Sequence, residues 1–180
     1  MDKLLRPAEM PEIHDIQSLQ DFYQVLRSPA PLAGMAYPRP NTPWEAIKKA
    51  GFQHVVCLAD NQVSYNPAPG EVLHCVELED LYHGGLPVDP IREDRLIREA
   101  VDLTGERLLA GEGVVVHCMG GTGRTGTVIG CLLRQIGYPA REVLAYLDGL
   151  NQARGRSGWP ESFWQAHFVR SYPGNWHSVD

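Results

Sequence analysis

Val114-Val115-Val116 is apolar without alternation, as suits a strand covered on both faces, and it runs directly through His117 into Cys118. Met119-Gly120-Gly121-Thr122-Gly123 follows, and Arg124-Thr125-Gly126 then opens a helix-forming stretch. A buried strand, a glycine-rich loop and a helix, in that order, restrict the fold more than any other feature of the chain. Glycines let consecutive backbone N–H groups point inward and cup a tetrahedral anion. The N-terminus of the helix adds positive potential at the same point. Arg124 can fork two N–H bonds onto phosphate oxygens. The same donors stabilise a thiolate, so Cys118 is expected to be ionised. A thiolate on the floor of an anion cradle can attack phosphorus in line and carry the phosphoryl group covalently. Cys57, Cys75 and Cys131 are followed six positions later by Val63, Leu81 and Gly137, so Cys118 alone has an arginine at that spacing. A cysteine that merely filled a core beside a glycine turn would leave Arg124 and the glycines unexplained.

The flanking pattern alternates strands with helices. Strands are predicted near 32–37, 54–59 and 72–78, with Asn66-Pro67-Ala68-Pro69-Gly70 marking a turn between the last two. A helix is predicted from Thr42, with Pro43 in its first turn, and another from Asp89-Pro90 to about Ala110. Three more are expected at 124–136 (closed by Gly137), 140–152 and 160–172, the last burying Phe163, Trp164 and Phe168. In residues 1–30, Ser18 with Asp21 reads as a capping box, and Ile16, Leu19, Tyr23 and Leu26 share one helical face before Pro29. The fold class is therefore α/β, a mostly parallel central sheet flanked by helices. Cys118 then lies at the carboxyl end of a strand, where such sheets place ligands. The expected organisation is a lead-in over 1–30, one catalytic domain over 31–173 and a polar tail over 174–180.

The Cys-x5-Arg-Thr segment resembles the catalytic loop of the cysteine-dependent protein tyrosine and dual-specificity phosphatases. Leu32-Ala33-Gly34-Met35-Ala36-Tyr37-Pro38, Gly51-Phe52-Gln53-His54-Val55-Val56-Cys57-Leu58 and Leu73-His74-Cys75-Val76-Glu77-Leu78-Glu79-Asp80 are similar to the small atypical dual-specificity members. The resemblance implies a phosphocysteine mechanism in which Met119, Gly120, Gly121, Thr122, Gly123 and Arg124 bind the phosphate. It implies that His117 orients the loop and that Thr125 offers its hydroxyl to the sulfur, although Thr125 could equally cap the helix. A general acid is also needed, and a carboxylic acid on a neighbouring loop suits both half-reactions. Asp80, directly after the strand at 72–78, is the choice. Asp89 is the rival, but its place before Pro90 is already explained as a helix cap. Two features depart from the family pattern: Glu79 stands where proline is usual, and Leu81-Tyr82-His83-Gly84-Gly85-Leu86-Pro87 is long. Gly84-Gly85 would give that loop hinge freedom to close over substrate. His83 is read as solvated. Gln165 matches a water-orienting glutamine of related proteins only loosely. Cys57 resembles the position of a backdoor cysteine able to trap an oxidised Cys118 as a disulfide.

Composition narrows the context. With 43% hydrophobic residues, 180 residues can bury a core as one domain. No apolar run approaches the ~20 residues that span a bilayer, and Met1-Asp2-Lys3-Leu4-Leu5-Arg6-Pro7 lacks a signal core. Four cysteines without paired spacing point to the reducing cytoplasm. No zinc-like spacing occurs, so neither a metal nor another cofactor is expected. A net charge of −6 argues against nucleic acid as partner. Between Arg124 and Arg156 five arginines face only Glu142 and Asp148, either an attractive patch for phosphorylated substrate or an ordinary solvated surface. The expected activity is metal-independent hydrolysis of phosphotyrosine in proteins, with phosphoserine and phosphothreonine open. A phosphoinositide or RNA 5′-phosphate substrate is the alternative within the same chemistry. The uncharged loop weighs against highly anionic headgroups, and the presence of Asp80 against RNA triphosphatases. A catalytically inactive phosphate-binding module is the alternative outside it.

Overall fold

A computed structural model describes residues 4–16 and 19–174. Five strands form one sheet, β1 (Phe22–Leu26), β2 (Leu32–Met35), β3 (Phe52–Cys57), β4 (Glu71–Cys75) and β5 (Gly113–His117), in the spatial order β1-β2-β5-β3-β4. Only the β1–β2 pair is antiparallel; β2–β5, β5–β3 and β3–β4 are parallel. Helix α1 (Trp44–Lys49) covers one face, while α2 (Pro90–Leu109), α3 (Gly123–Ile136), α4 (Ala140–Ala153) and α5 (Phe163–Ser171) form the layer on the other. The period of two along β5 divides its side chains accordingly. Val115 packs with Phe22, Met35, Ile47 and Phe52, whereas Val114, Val116 and Cys118 enter the larger core with Ile97, Val128 and Leu132.

Most elements lie where the sequence places them. Asp89 caps α2, its Oδ1 accepting the Arg92 N–H at 3.0 Å, and Pro90 is the first helical residue. Gly137 closes α3 in the left-handed conformation, at φ 112°. Two expectations need correction. The helix expected across Ile16 to Leu26 is instead the edge strand β1, preceded by a 3-10 turn at Pro7–Glu9. Leu19, Tyr23 and Leu26 do fall at helical spacing, but pairing of Phe22–Leu26 with Leu32–Met35 satisfies the backbone and buries every residue of the strand. The Ser18 capping box lies outside the described residues, as does nearly all of the expected tail at 174–180. Phe163 is the second correction. It is 74% exposed, because the first position of α5 faces outward, while Phe168 is buried and Trp164 half-buried.

Candidate active site

Cys118 follows β5 immediately, and Arg124 stands in the first turn of α3. Both are buried, and with Asp80 they line one cavity of about 330 Å³ that also includes Met119, Gly120 and Thr122. The loop between them is held from behind. The Met119 carbonyl accepts the Tyr37 N–H at 2.9 Å, the Gly120 carbonyl accepts Arg154 Nη2 at 3.2 Å, and the Gly121 carbonyl accepts both Tyr23 Oη at 2.7 Å and Arg154 Nη1 at 2.8 Å. In a planar trans peptide the next N–H points opposite to the carbonyl. Three carbonyls drawn into the protein therefore turn the N–H groups of Gly120, Gly121 and Thr122 the other way, as an anion cradle requires.

Nothing in the sequence marks Tyr23 or Arg154 as belonging to the site. Tyr23 reaches Gly121 across β2, where Gly34 is its register partner and any Cβ on Gly34 would collide with the Tyr23 ring. Gly121 has φ 67°, and a Cβ there would come 2.8 Å from Ala36 N. Arg154 is 3% exposed, lies 4.2 Å over the Tyr23 ring and also donates to the Leu19 and Gln20 carbonyls. Its charge is thus spent inside the protein, and Arg134 donates to the Tyr138 carbonyl. The run of arginines from 124 to 156 is consequently not one surface patch; Arg156 alone joins Arg124 in lining the cavity.

Asp80 Oδ2 lies 3.5 Å from Arg124 Nη2, and Asp80 Oδ1 accepts the Tyr82 N–H at 3.1 Å. Asp89 is not among the residues lining the cavity, its carboxylate being engaged in the α2 cap. Glu79 explains how a loop lacking the family proline is fixed. Its carboxylate accepts the Val88 N–H at 2.7 Å and the Asp89 N–H at 3.0 Å, tying the two ends of the loop together. His83 packs edge-on against Tyr82 outside the cavity. Gln165 belongs to the capping box of α5, its Oε1 accepting the Glu161 and Ser162 N–H groups. Thr125 is fully buried, and its Oγ1 has no hydrogen-bond partner among the described residues. Cys57 is in register with both His117 and Cys75, and burial together with Cys57 pushes the Cys75 thiol up to about 12.

His117 is completely buried and contacts Tyr65, another residue the sequence does not reveal. Burial pushes the imidazole down to about 4, so it is neutral near pH 7. Nδ1 must donate to the Cys118 carbonyl at 3.2 Å, which leaves Nε2 to accept from the Tyr65 hydroxyl. Glu93 is the opposite case. Burial pushes its carboxyl up to about 7, against the stabilising Glu79 N–H at 3.1 Å.

These two shifts make a measurable pair. From pH 4.5 to 6.5, His117 binds a proton only when unfolded and Glu93 only when folded, given ordinary values of 6.5 and 4.5. Stability contributed through His117 rises with pH by about 1.4 kcal/mol per unit, and that through Glu93 falls by the same slope. The two cancel in the wild type. Glu93→Gln is expected to unmask the histidine, losing about 2–3 kcal/mol more than wild type between pH 6.5 and 4.5 in urea titrations. Parallel curves for the two proteins would refute the assignment.

Known proteins share the fold and the family of this chain. The family model described as Swiss Army Knife protein, DSP-PTPase phosphatase domain matches residues 22–160. Among solved structures, the chain is similar to the human tyrosine phosphatase-like serine/threonine/tyrosine-interacting protein, at 19% identity and TM-score 0.59, covering 78% of this chain and 89% of that one. It is similar to the core catalytic domain of the PP-IP phosphatase SIW14 from S. cerevisiae, at 15% identity and TM-score 0.57, covering 78% and 80%. It also resembles P. aeruginosa TpbA, at 18% identity and TM-score 0.52, covering 77% and 78%. These likenesses carry the fold, and the family match extends from β1 through the Cys118–Arg124 loop to Pro160. The chain belongs to the DSP-PTPase phosphatase family.

Proposed function

We propose that the protein is a metal-independent protein phosphatase that hydrolyses phosphotyrosine, with phosphoserine and phosphothreonine as lesser substrates, through a phosphocysteine intermediate. The observation that carries this reading is the inward-turned cradle above Cys118, with Arg124 and Asp80 in the same cavity. The Cys118 thiolate attacks phosphorus while the bond to the leaving oxygen breaks, and Asp80 protonates that oxygen. Arg124 and the loop N–H groups hold the equatorial oxygens as charge redistributes. Thr125 Oγ1, lacking another partner among the described residues, donates to the sulfur when water later displaces it. His117, kept neutral and tied to Tyr65, fixes the start of the loop. A thiolate nucleophile needs reducing surroundings, which supports a cytoplasmic location.

The cavity lip supports an aryl substrate. Tyr82 and Met119 line it and are 63% and 57% exposed, offering apolar surface to a phenyl ring. Its cations among the described residues are Arg124 and Arg156, fewer than a multiply phosphorylated headgroup would call for. Phosphate release in excess EDTA from phosphotyrosyl, phosphoseryl and phosphothreonyl peptides, from phosphoinositide micelles and from a 5′-phosphorylated RNA tests the reading. The phosphotyrosyl peptide is expected to lead by at least ~10-fold in kcat/KM. Preference for the lipid or the RNA would overturn the substrate assignment.

A further inference from the structure

The loop that carries Asp80 is anchored by a buried carboxyl group on α2. Glu93 is 2% exposed, and its two oxygens accept the Glu79 N–H at 3.1 and 3.2 Å. The carbonyl of the same peptide, that of Leu78, accepts Arg124 Nη1 at 3.3 Å. In a trans peptide these two groups point opposite ways, so Arg124 and Glu93 hold the Leu78–Glu79 unit from opposite sides. Asp80 is the next residue, and its Oδ2 lies 3.5 Å from Arg124 Nη2. The Glu79 carboxylate ties the far end of the loop through the Val88 and Asp89 N–H groups, and Asp89 caps the helix that bears Glu93. Core packing does not explain a carboxyl group at this place. Leu96, Ile97 and Ala100 share its face of α2 and are buried and apolar, as an inward face requires. Burying a carboxyl group beside them costs free energy that its hydrogen bonds must offset. A proline at position 79, usual in the family pattern, would have no N–H to offer it.

We propose that Glu93 is a positioning residue for the acid step, setting through the Leu78–Glu79 peptide the place from which Asp80 protonates the leaving oxygen. This rests on the reading of Asp80 as the acid. Glu93 is not among the residues lining the cavity that holds Cys118, so it acts through the loop alone. Upstream the chain is fixed, the Leu78 N–H donating to the Leu58 carbonyl at 3.2 Å. Without the Glu93 carboxyl group the Glu79 N–H loses its partner, and the backbone is free to turn just before Asp80. The phosphate cradle is untouched by that change, because Tyr37, Tyr23 and Arg154 hold its carbonyls and none of them belongs to α2. The signature is a loss confined to proton transfer as the phosphorus–oxygen bond breaks. It is large for a basic leaving oxygen and small for an acidic one, with phosphate affinity unchanged.

Glu93→Met is close in size and lacks the acceptor, whereas Glu93→Gln keeps one oxygen for the Glu79 N–H. The test is kcat/KM on phenyl phosphate and on p-nitrophenyl phosphate, with inorganic phosphate as competitive inhibitor. Glu93→Met is expected to lose ~10- to 100-fold on the phenyl ester and less than about threefold on the nitrophenyl ester. Inhibition by phosphate should stay within about twofold of wild type, and Glu93→Gln should recover most of the loss. Combined with Asp80→Asn, Glu93→Met should cost no more than about twofold further, since the group it positions has already lost its proton. Glu93→Asp, one methylene shorter, should show the same split between esters, and it carries the test if Glu93→Met does not fold. Equal losses on the two esters, the full loss repeated in the Asp80→Asn background, or wild-type rates on both esters in a folded variant would each overturn the proposal. If Asp80→Asn alone loses nothing on either ester, the acid reading itself fails, and the proposal falls with it.

Discussion

Cys118→Ser is expected to abolish hydrolysis of p-nitrophenyl phosphate in excess EDTA, a loss of at least ~10⁴-fold, while phosphate still binds. The cradle does not depend on the sulfur. Its carbonyls are held by Tyr37, Tyr23 and Arg154, and Arg124 is positioned through the Leu78 carbonyl at 3.3 Å as well as Asp80. The serine variant should therefore keep the inward N–H groups and the guanidinium that bind phosphate. What it loses is the nucleophile, because a hydroxyl near neutral pH is a poor one even beside such donors. Phosphate binding by calorimetry, measured alongside turnover, distinguishes lost chemistry from a lost site. Turnover near the wild-type level in folded Cys118→Ser would overturn covalent catalysis at this residue. A wild type that binds phosphopeptide without turnover would make the protein a phosphate-binding module instead.

The parts of the site that could be read from the sequence are those whose determinants are adjacent along the chain. The strand, the glycine loop and the first turn of α3 occupy one short segment, so spacing alone assembles Cys118 and Arg124. The Asp89-Pro90 cap and Gly137 are similarly local. The parts that escaped depend on distant pairings. Tyr23 and Arg154 are separated from the Gly121 carbonyl they share by 98 and 33 positions, and Tyr65 from His117 by 52. No periodicity records such partners. Arg154 did leave a trace, as one of a run of arginines, but only the fold shows that it is buried beneath the loop. β1 escaped for a related reason: a short apolar stretch fits either helix or strand until its neighbour, here β2, is known.

Asp80→Asn is expected to lower kcat by roughly 10²–10⁴. Asparagine is nearly the same size, and the Tyr82 N–H that meets Asp80 Oδ1 can meet an amide oxygen as well. The loop ends stay tied by Glu79, so the variant removes a proton rather than a structure. The size of the loss should depend on the leaving group. A tyrosyl oxygen is more basic than p-nitrophenolate and needs the proton more, so phosphotyrosyl peptide should suffer more than the nitrophenyl ester. Asp89→Asn is the matched control. Asparagine caps helices as well as aspartate, so α2 and the activity should both be retained within about twofold. If Asp89→Asn carries the loss and Asp80→Asn does not, the acid has been assigned to the wrong carboxylate.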